Sequence, residues 1–264
     1  MPSDAGAHEI SRTEIVAQLR GLGVRDGGVL LVHTSYRAVR PVEGGPLGLI
    51  GALREALGEG GTLVMPSWSG EEDIPFDPIT APADPDLGIV AELFRREPDT
   101  RRSHHAHAFA AAGPQAERII ADPLPLPPHR QQSPVGRVHE LDGQILLLGV
   151  GQDANTTIHL AECLAGVPYR LAKFITVRLG GRPVRLDYGE NDHCCQRFAL
   201  TDDWLRSRNL QSEGRVGHAH ARLIRSRDIV TITREQIADD PLVFLHPPEA
   251  GCAECDAARD SIPR

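Results

Sequence analysis

Three apolar runs constrain this chain more than anything else in it: "GVLLVH" at 28–33, "GTLVMPSW" at 61–68 and "QILLLGVG" at 144–151. Each is short, opens or closes on glycine, and is apolar at successive positions, which reads as a strand buried on both faces. Between them lie segments with helical spacing. "LGLIGALREALGEGG" is stopped by glycines, "DLGIVAELFRREP" is closed by proline, and "TTIHLAECLAG" follows the third run directly. "EISRTEIVAQLRGLGV" reads as an opening helix and "HAFAAAG" as a further strand. "PQAERIIADPLPLPP" reads as a short helix running into a proline-rich loop. This alternation predicts an α/β fold with a central, mainly parallel sheet flanked by helices on both faces.

After residue 172 the pattern changes. "KFITVRLGGRPVRLDYGEND" predicts a hairpin turning at "GG". A helix around "QRFALTDDWLRSR", a pair of short strands, a helix near "TREQIADD" and the tail "LHPPEAGCAECDAARD" follow. No linker separates the halves, so residues 1–264 read as one domain with an elaborated C-terminal part.

Charge narrows the function. The 36 acidic residues outnumber 28 basic ones, for a net charge of −8. That sign argues against a nucleic-acid partner and suits a cationic ligand. No apolar stretch approaches the length that spans a bilayer, and the first residues lack the basic and apolar regions of a signal peptide. A cytoplasmic protein with no membrane partner is expected, as monomer or homodimer.

Candidate functional residues fall where strands end, the edge at which open α/β sheets bind ligands. His159 lies in the first turn after "QILLLGVG", and Glu162 shares its helix face at the (i, i+3) position. The pair reads as an acid–base device, a metal clip or an ordinary amphipathic helix start. "GVGQDA" fits G-x-G-x-x-A, but no acidic residue occurs from Cys163 through Arg185, so the dinucleotide reading fails. "VHTSYR" sets Thr34 and Ser35 at the same edge, where hydroxyls could stabilise an oxyanion. The loops "SGEEDIPFD" and "LDYGEND" bring Glu71, Glu72, Asp73, Asp187, Glu190 and Asp192 to strand ends. Such clustering is costly unless a polycation or water relieves it. Trp68 and Tyr188 offer flat faces for a sugar-like ring. Five cysteines, an odd number, argue against a disulfide framework. "ENDHCC" and "GCAEC" supply His193, Cys194, Cys195, Cys252 and Cys255, and any four of these would close a tetrahedral, structural zinc shell. Reduced thiols are the alternative.

Taken in order, "LLVHTSYRAVRPVEGGPLGLI", "GTLVMPSWSG", "FDP", "AFAAAGPQAE", "SPVGRV", "LLLGVGQDANTTIHLAE" and "END" resemble the aminoglycoside 3-N-acetyltransferases. "HCC", "VGHA", "ARLIRSRDIV" and "FLHPPEAGC" make the chain most similar to the branch that also accepts apramycin. The resemblance implies the antibiotic N-acetyltransferase fold, distinct from the GNAT acetyltransferases. It implies acetyl-coenzyme A as donor and the 3-amino group of a 2-deoxystreptamine aminoglycoside as acceptor, of the apramycin, gentamicin or tobramycin type, with inactivation of the antibiotic. His159 falls on the family's catalytic base and Glu162 on the acid of the same block. Glu72, Glu190 and Asp192 match acids that contact the antibiotic, with Trp68, Asp73 and Asp187 alongside them. "HTSYR", with His33, Thr34, Ser35 and Arg37, matches a loop near the thioester and pantetheine arm. "SPVGR", with Ser133 and Val135, matches one near the cofactor. The segment "SHHAH" at 103–107 departs from the family, where many relatives have proline after the first histidine. Two rival readings are a zinc hydrolase using "HLAE" and "HCC" as ligands and a non-catalytic binder of cationic ligands.

Overall fold

The computed structural model describes residues 8–104, 107–121, 124 and 126–263. The three apolar runs form its centre. β1 (Val29–Thr34), β2 (Thr62–Pro66) and β5 (Gln144–Leu148) lie side by side in the order β2–β1–β5, and both pairings are parallel. Their side chains alternate. Leu30 and Val32 of β1, with Leu146 and Leu148 of β5, pack on one face of the sheet. Val29 and Leu31 pack on the other, as do Ile145 and Leu147. A period of two places apolar groups on both faces only when every position is apolar, which is why these strands read as unbroken runs.

α1 (Arg12–Leu22), α3 (Gly45–Leu57) and α4 (Gly88–Phe94) cover the first face. α5 (Ala116–Ile120), α6 (Pro134–Glu140), α7 (Thr156–Ala165) and α9 (Ser226–Asp239) cover the second. α6 falls in a stretch to which the sequence pattern assigns no element. It has a complete start signal, Ser133 at the N-cap accepting from Gly136 N at 3.2 Å and Pro134 in the first turn, but a proline-rich approach masks it. The short helix α2 (Tyr36–Val39) directly after β1 also carries no periodic signal of its own.

The sheet is mixed, and the expectation of a mainly parallel sheet is corrected here. Seven strands run in the order β3–β4–β2–β1–β5–β9–β8. β3 (Arg101–Arg102) and β4 (Phe109–Ala112) extend one edge, and β8 (Gln211–Val216) and β9 (Ala219–Arg225) the other, all by antiparallel pairing. Parallel neighbours need a long crossover connection. β9 instead follows β8 through the two-residue turn Gly217–His218, and β4 doubles back on β3. The hairpin of β6 (Leu171–Leu179) and β7 (Arg182–Glu190) forms its own two-stranded sheet. Gly180 and Gly181 both have positive φ, 55° and 82°, as the expected "GG" turn requires. α8 (Leu200–Ser207), preceded by a 3₁₀ turn, and α10 (Ala253–Asp260) complete the C-terminal elaboration.

Gly149 ends β5 with φ 73°, donating its N–H to His220 O at 2.9 Å. A Cβ there would stand 2.6 Å from the Cβ of Ala38. The positive φ and the close approach of Ala38 therefore account for glycine at this strand end. Gly149→Ala is expected to destabilise the protein by about 2 kcal/mol, read as a lowered urea midpoint with unchanged m-value.

Candidate active site

The carboxyl ends of β2, β1 and β5 open into a cavity of about 470 Å³. The chain steps outward from β1 to β2 and then returns to β5 on the other side of β1. A crevice forms at such a reversal of strand order, because the flanking connections diverge to opposite faces. His33 and Thr34 come from β1, Pro66 and Trp68 from the end of β2, and Val150 from the end of β5. α7 delivers Thr156 and His159, and the hairpin supplies Lys173 and Glu190, with Asp192 just beyond.

α7 is fixed at both ends. Asn155 caps its start by accepting from Thr157 N at 3.1 Å, and Asn155 Nδ2 donates to Gln152 Oε1 at 2.9 Å. Gly166 closes it in the left-handed conformation. Spacing of three residues puts His159 and Glu162 on one face, and His159 Nδ1 lies 2.8 Å from Glu162 Oε2. An ionised carboxylate can only accept, so Nδ1 carries the proton and neutral His159 keeps its lone pair on Nε2.

Glu162 is fully buried. An isolated carboxylate in that position would be prohibitively costly, and this one is surrounded by donors. His193 Nε2 donates to Oε1 at 2.8 Å and the Tyr169 hydroxyl to the same oxygen at 2.6 Å. Asn191 Nδ2 donates to Oε2 at 3.3 Å. Burial alone would push the carboxyl pKa up, but the two histidines outweigh it and bring Glu162 to about 2. For His159, burial works against the imidazolium. The Cys195 sulfur, 3.4 Å from Nε2, and the Glu162 carboxylate nevertheless hold its pKa well above the ordinary 6.5. The ring also stacks on His129, with centroids 5.2 Å apart and planes 25° apart, and meets the edge of Phe198.

The rest of the wall is acidic. Glu72, Asp84, Asp86, Asp153, Glu190 and Asp192 all line the cavity. Glu190 is the most deeply placed of the hairpin acids, with His129 Nδ1 at 3.6 Å. Burial pushes its pKa up, but His129 and the neighbouring His107 and His159 bring it down to about 2. His33 is buried against Thr156 Oγ1 at 3.3 Å. Burial, then the proximity of His129, lowers its pKa to about 3, so it stays neutral. Thr34 Oγ1 is buried without a protein partner. Arg102 pins the loop that carries Trp68 and Glu72: its guanidinium donates to the carbonyls of Ser67, Ala81, Pro78 and Pro82 and stacks 4.6 Å over Phe76.

A family model described as aminoglycoside 3-N-acetyltransferase matches residues 31–238. The chain belongs to that family. The aminoglycoside N(3)-acetyltransferase IV of Salmonella sp is 65% identical over 244 residues, spanning 92% of this chain and 94% of that protein. The crystal structure of the aminoglycoside acetyltransferase AAC(3)-IVa apoenzyme matches with a TM-score of 0.97 at 65% identity, covering 98% of this chain and all of that one. Variants of that enzyme are known in complex with gentamicin and with apramycin. A more distant member, AAC-IIIb bound to CoASH, is 26% identical with a TM-score of 0.80 over 88% of this chain and 97% of that one. The fold is thus that of the antibiotic N-acetyltransferases, with the mixed sheet described above.

Several family-matched residues meet at the cavity: His159, His33, Thr34, Trp68, Glu72, Glu190 and Asp192. Others do not line it. Asp73 is exposed, and Asp187 is exposed and paired with Arg185 at 2.9 Å. Arg37 is exposed, and Ser35 only starts α2. Ser133 caps α6 and Val135 is a core residue, both fully buried. Tyr188 offers its hydroxyl, not its ring, bonding to His107 Nε2 at 3.0 Å and to Glu190 at 3.4 Å. Sequence reasoning did not select Asp84, Asp86, Asp153, His107, His129 or Lys173. His104 lines a separate surface cavity, and His105 lies outside the described residues.

The expected metal ligands divide into two groups, which corrects the five-residue set. Cys194, Cys252 and Cys255 converge, with the Cys194 and Cys255 sulfurs 3.6 Å apart. His193 and Cys195 point the other way, to Glu162 and His159. The segment turns tightly here, with Cys195 N donating to His193 O at 3.0 Å, and the turn directs Cys194 away from His193 and Cys195, so adjacency in "HCC" does not mean a shared ligand shell. The Glu162 oxygens are hydrogen-bonded directly to both imidazoles, which occupies the lone pairs a His–Glu–His metal clip would use.

Removing the Glu162 charge should lower the His159 pKa, because one of the two groups favouring the imidazolium is lost. In Glu162→Gln the acid limb of the kcat/KM profile should move to lower pH, with kcat reduced at least tenfold by the loosened ring.

Proposed function

We propose that the chain transfers the acetyl group of acetyl-coenzyme A to the 3-amino group of 2-deoxystreptamine aminoglycosides such as apramycin and gentamicin, and so inactivates them. The observation that carries this reading is the His159–Glu162 pair opening into a cavity walled by six carboxylates. An aminoglycoside ammonium must lose a proton before it can attack a thioester. Glu72 and Glu190 attract the polycation and hold the target group near His159. His159 in its neutral form, which its raised pKa makes more populated as pH rises, takes the first proton on Nε2. Only a weak sulfur contact from Cys195 occupies that nitrogen, and an ammonium N–H displaces it readily. The free amine adds to the thioester carbonyl, and the Thr34 hydroxyl donates to the oxyanion that develops. On collapse the C–S bond breaks, the second amine proton passes to the departing thiolate, and one proton is released to water overall. No acyl-enzyme is needed. Glu162 stays ionised throughout and stabilises the imidazolium.

We also infer that Cys194, Cys252 and Cys255 hold a structural zinc ion that pins α10 to the segment after β7. Their spacing supports it: 3.6 Å is close to the roughly 3.8 Å between thiolates each about 2.3 Å from one tetrahedral ion. These three thiolates are the residues that would hold the ion. The free cysteines and the use of acetyl-coenzyme A fit a cytoplasmic protein acting as one unit over 1–264, and no described helix is long and apolar enough to cross a membrane.

Two outcomes are expected. His159→Ala should lower thiol release with apramycin or gentamicin by about a thousandfold while thermal stability is retained, and near wild-type turnover would remove the base. Metal analysis of purified protein should find about one zinc per chain, absent in Cys255→Ser with a lowered Tm. Metal-free protein with three reactive thiols in that cluster would contradict the zinc assignment.

A further inference from the structure

Lys173 is the only lysine or arginine among the described residues lining the cavity, against its six carboxylates. Its Nζ stands 2.6 Å from Asp192 Oδ2. The hairpin backbone fixes this arrangement. Lys173 pairs in register with Tyr188, and Leu171 with Glu190, so the ammonium lies against the end of the strand from which the chain continues to Asp192. Thr176 N donates to Glu72 O at 2.8 Å, tying the Glu72 loop to β6 as well. Burial works against the ammonium, but Asp192, then Glu190 and Glu72, keep the Lys173 pKa above its ordinary value, and it stays charged.

A ligand ammonium approaching Asp192 therefore meets a carboxylate already neutralised and a like charge beside it. A hydroxyl meets no such repulsion and can bond to either partner. Placing a repulsive group at one point of an attractive surface is how a site separates ligands that differ in charge.

We propose that Lys173 is a specificity-determining residue of the acetyl-transfer site: it reserves Asp192 so that this corner accepts a hydroxyl-bearing part of the aminoglycoside, and it weakens binding of the more highly charged substrates. The inference rests on the aminoglycoside reading of the cavity and corrects one part of it, since Asp192 then serves as the partner of Lys173 and not as an ammonium site.

The test compares wild type, Lys173→Met and Lys173→Arg in thiol-release kinetics with apramycin and with gentamicin, at low and high ionic strength. Lys173→Met should lower KM by roughly two- to five-fold with kcat little changed, and the gain should shrink as salt screens the pair. Lys173→Arg, which keeps the charge, should not show the KM decrease of Lys173→Met. A KM that is unchanged or raised in Lys173→Met overturns the proposal, as does an equal shift in Lys173→Arg. Calorimetric binding of gentamicin without acetyl-coenzyme A reads the same contrast independently of turnover. Failure of transfer in the wild type would thus count against the function alone.

Discussion

The buried carboxylate of Glu162 is the point on which the site depends. A charge with no solvent exposure survives only if its lone pairs are occupied, and here four side chains occupy them. The donors come from different parts of the chain: His159 from the same helix, Tyr169 from the segment after it, and Asn191 and His193 from beyond β7. Satisfying one carboxylate therefore docks the C-terminal elaboration onto the α/β core. The same contacts orient the imidazole. A base held by Nδ1 can turn neither its lone pair nor its plane away from the cavity, so binding of the acid and aiming of the base are a single interaction.

The cavity balances two opposing electrostatic demands. It must attract a polycation, which favours carboxylates, yet the free protein must tolerate their mutual repulsion. Histidines and one lysine reconcile these. His129 and His107 lie against Glu190, Lys173 neutralises Asp192, and the remaining acids sit towards solvent at loop positions. The charges a ligand supplies can thus replace or supplement partners the protein already has. His33 takes no part in this, since burial keeps it neutral.

Much of this was legible in the sequence. The strands β1, β2 and β5 announce themselves because burial on two faces demands unbroken apolar runs, and the "GG" turn because two successive positive φ angles demand glycine. His159 and Glu162 were legible because three-residue spacing on a helix is itself a geometric statement. Sheet direction was not, since pairing is non-local and the edge strands carry the same apolar signal whichever way they run. His193 and Cys195 were grouped with the thiols because the sequence records adjacency, whereas a tight turn at 193–195 decides which way each side chain faces. Asp84 carries no signal of a binding role in the sequence, and it also caps a short turn by accepting from Asp86 N. His129 lay in a proline-rich loop without periodicity. Lys173 was one charge on a hairpin strand, and its meaning depends on acids that precede and follow it by many residues.

The tautomer and pKa of His159 carry the central claim, and both are readable by 15N NMR of histidine-labelled protein across a pH titration. The expected result is a ring protonated on Nδ1 when neutral, with Nε2 bare and a midpoint above 6.5. A neutral ring protonated on Nε2, or a midpoint at or below that of free imidazole, would contradict it.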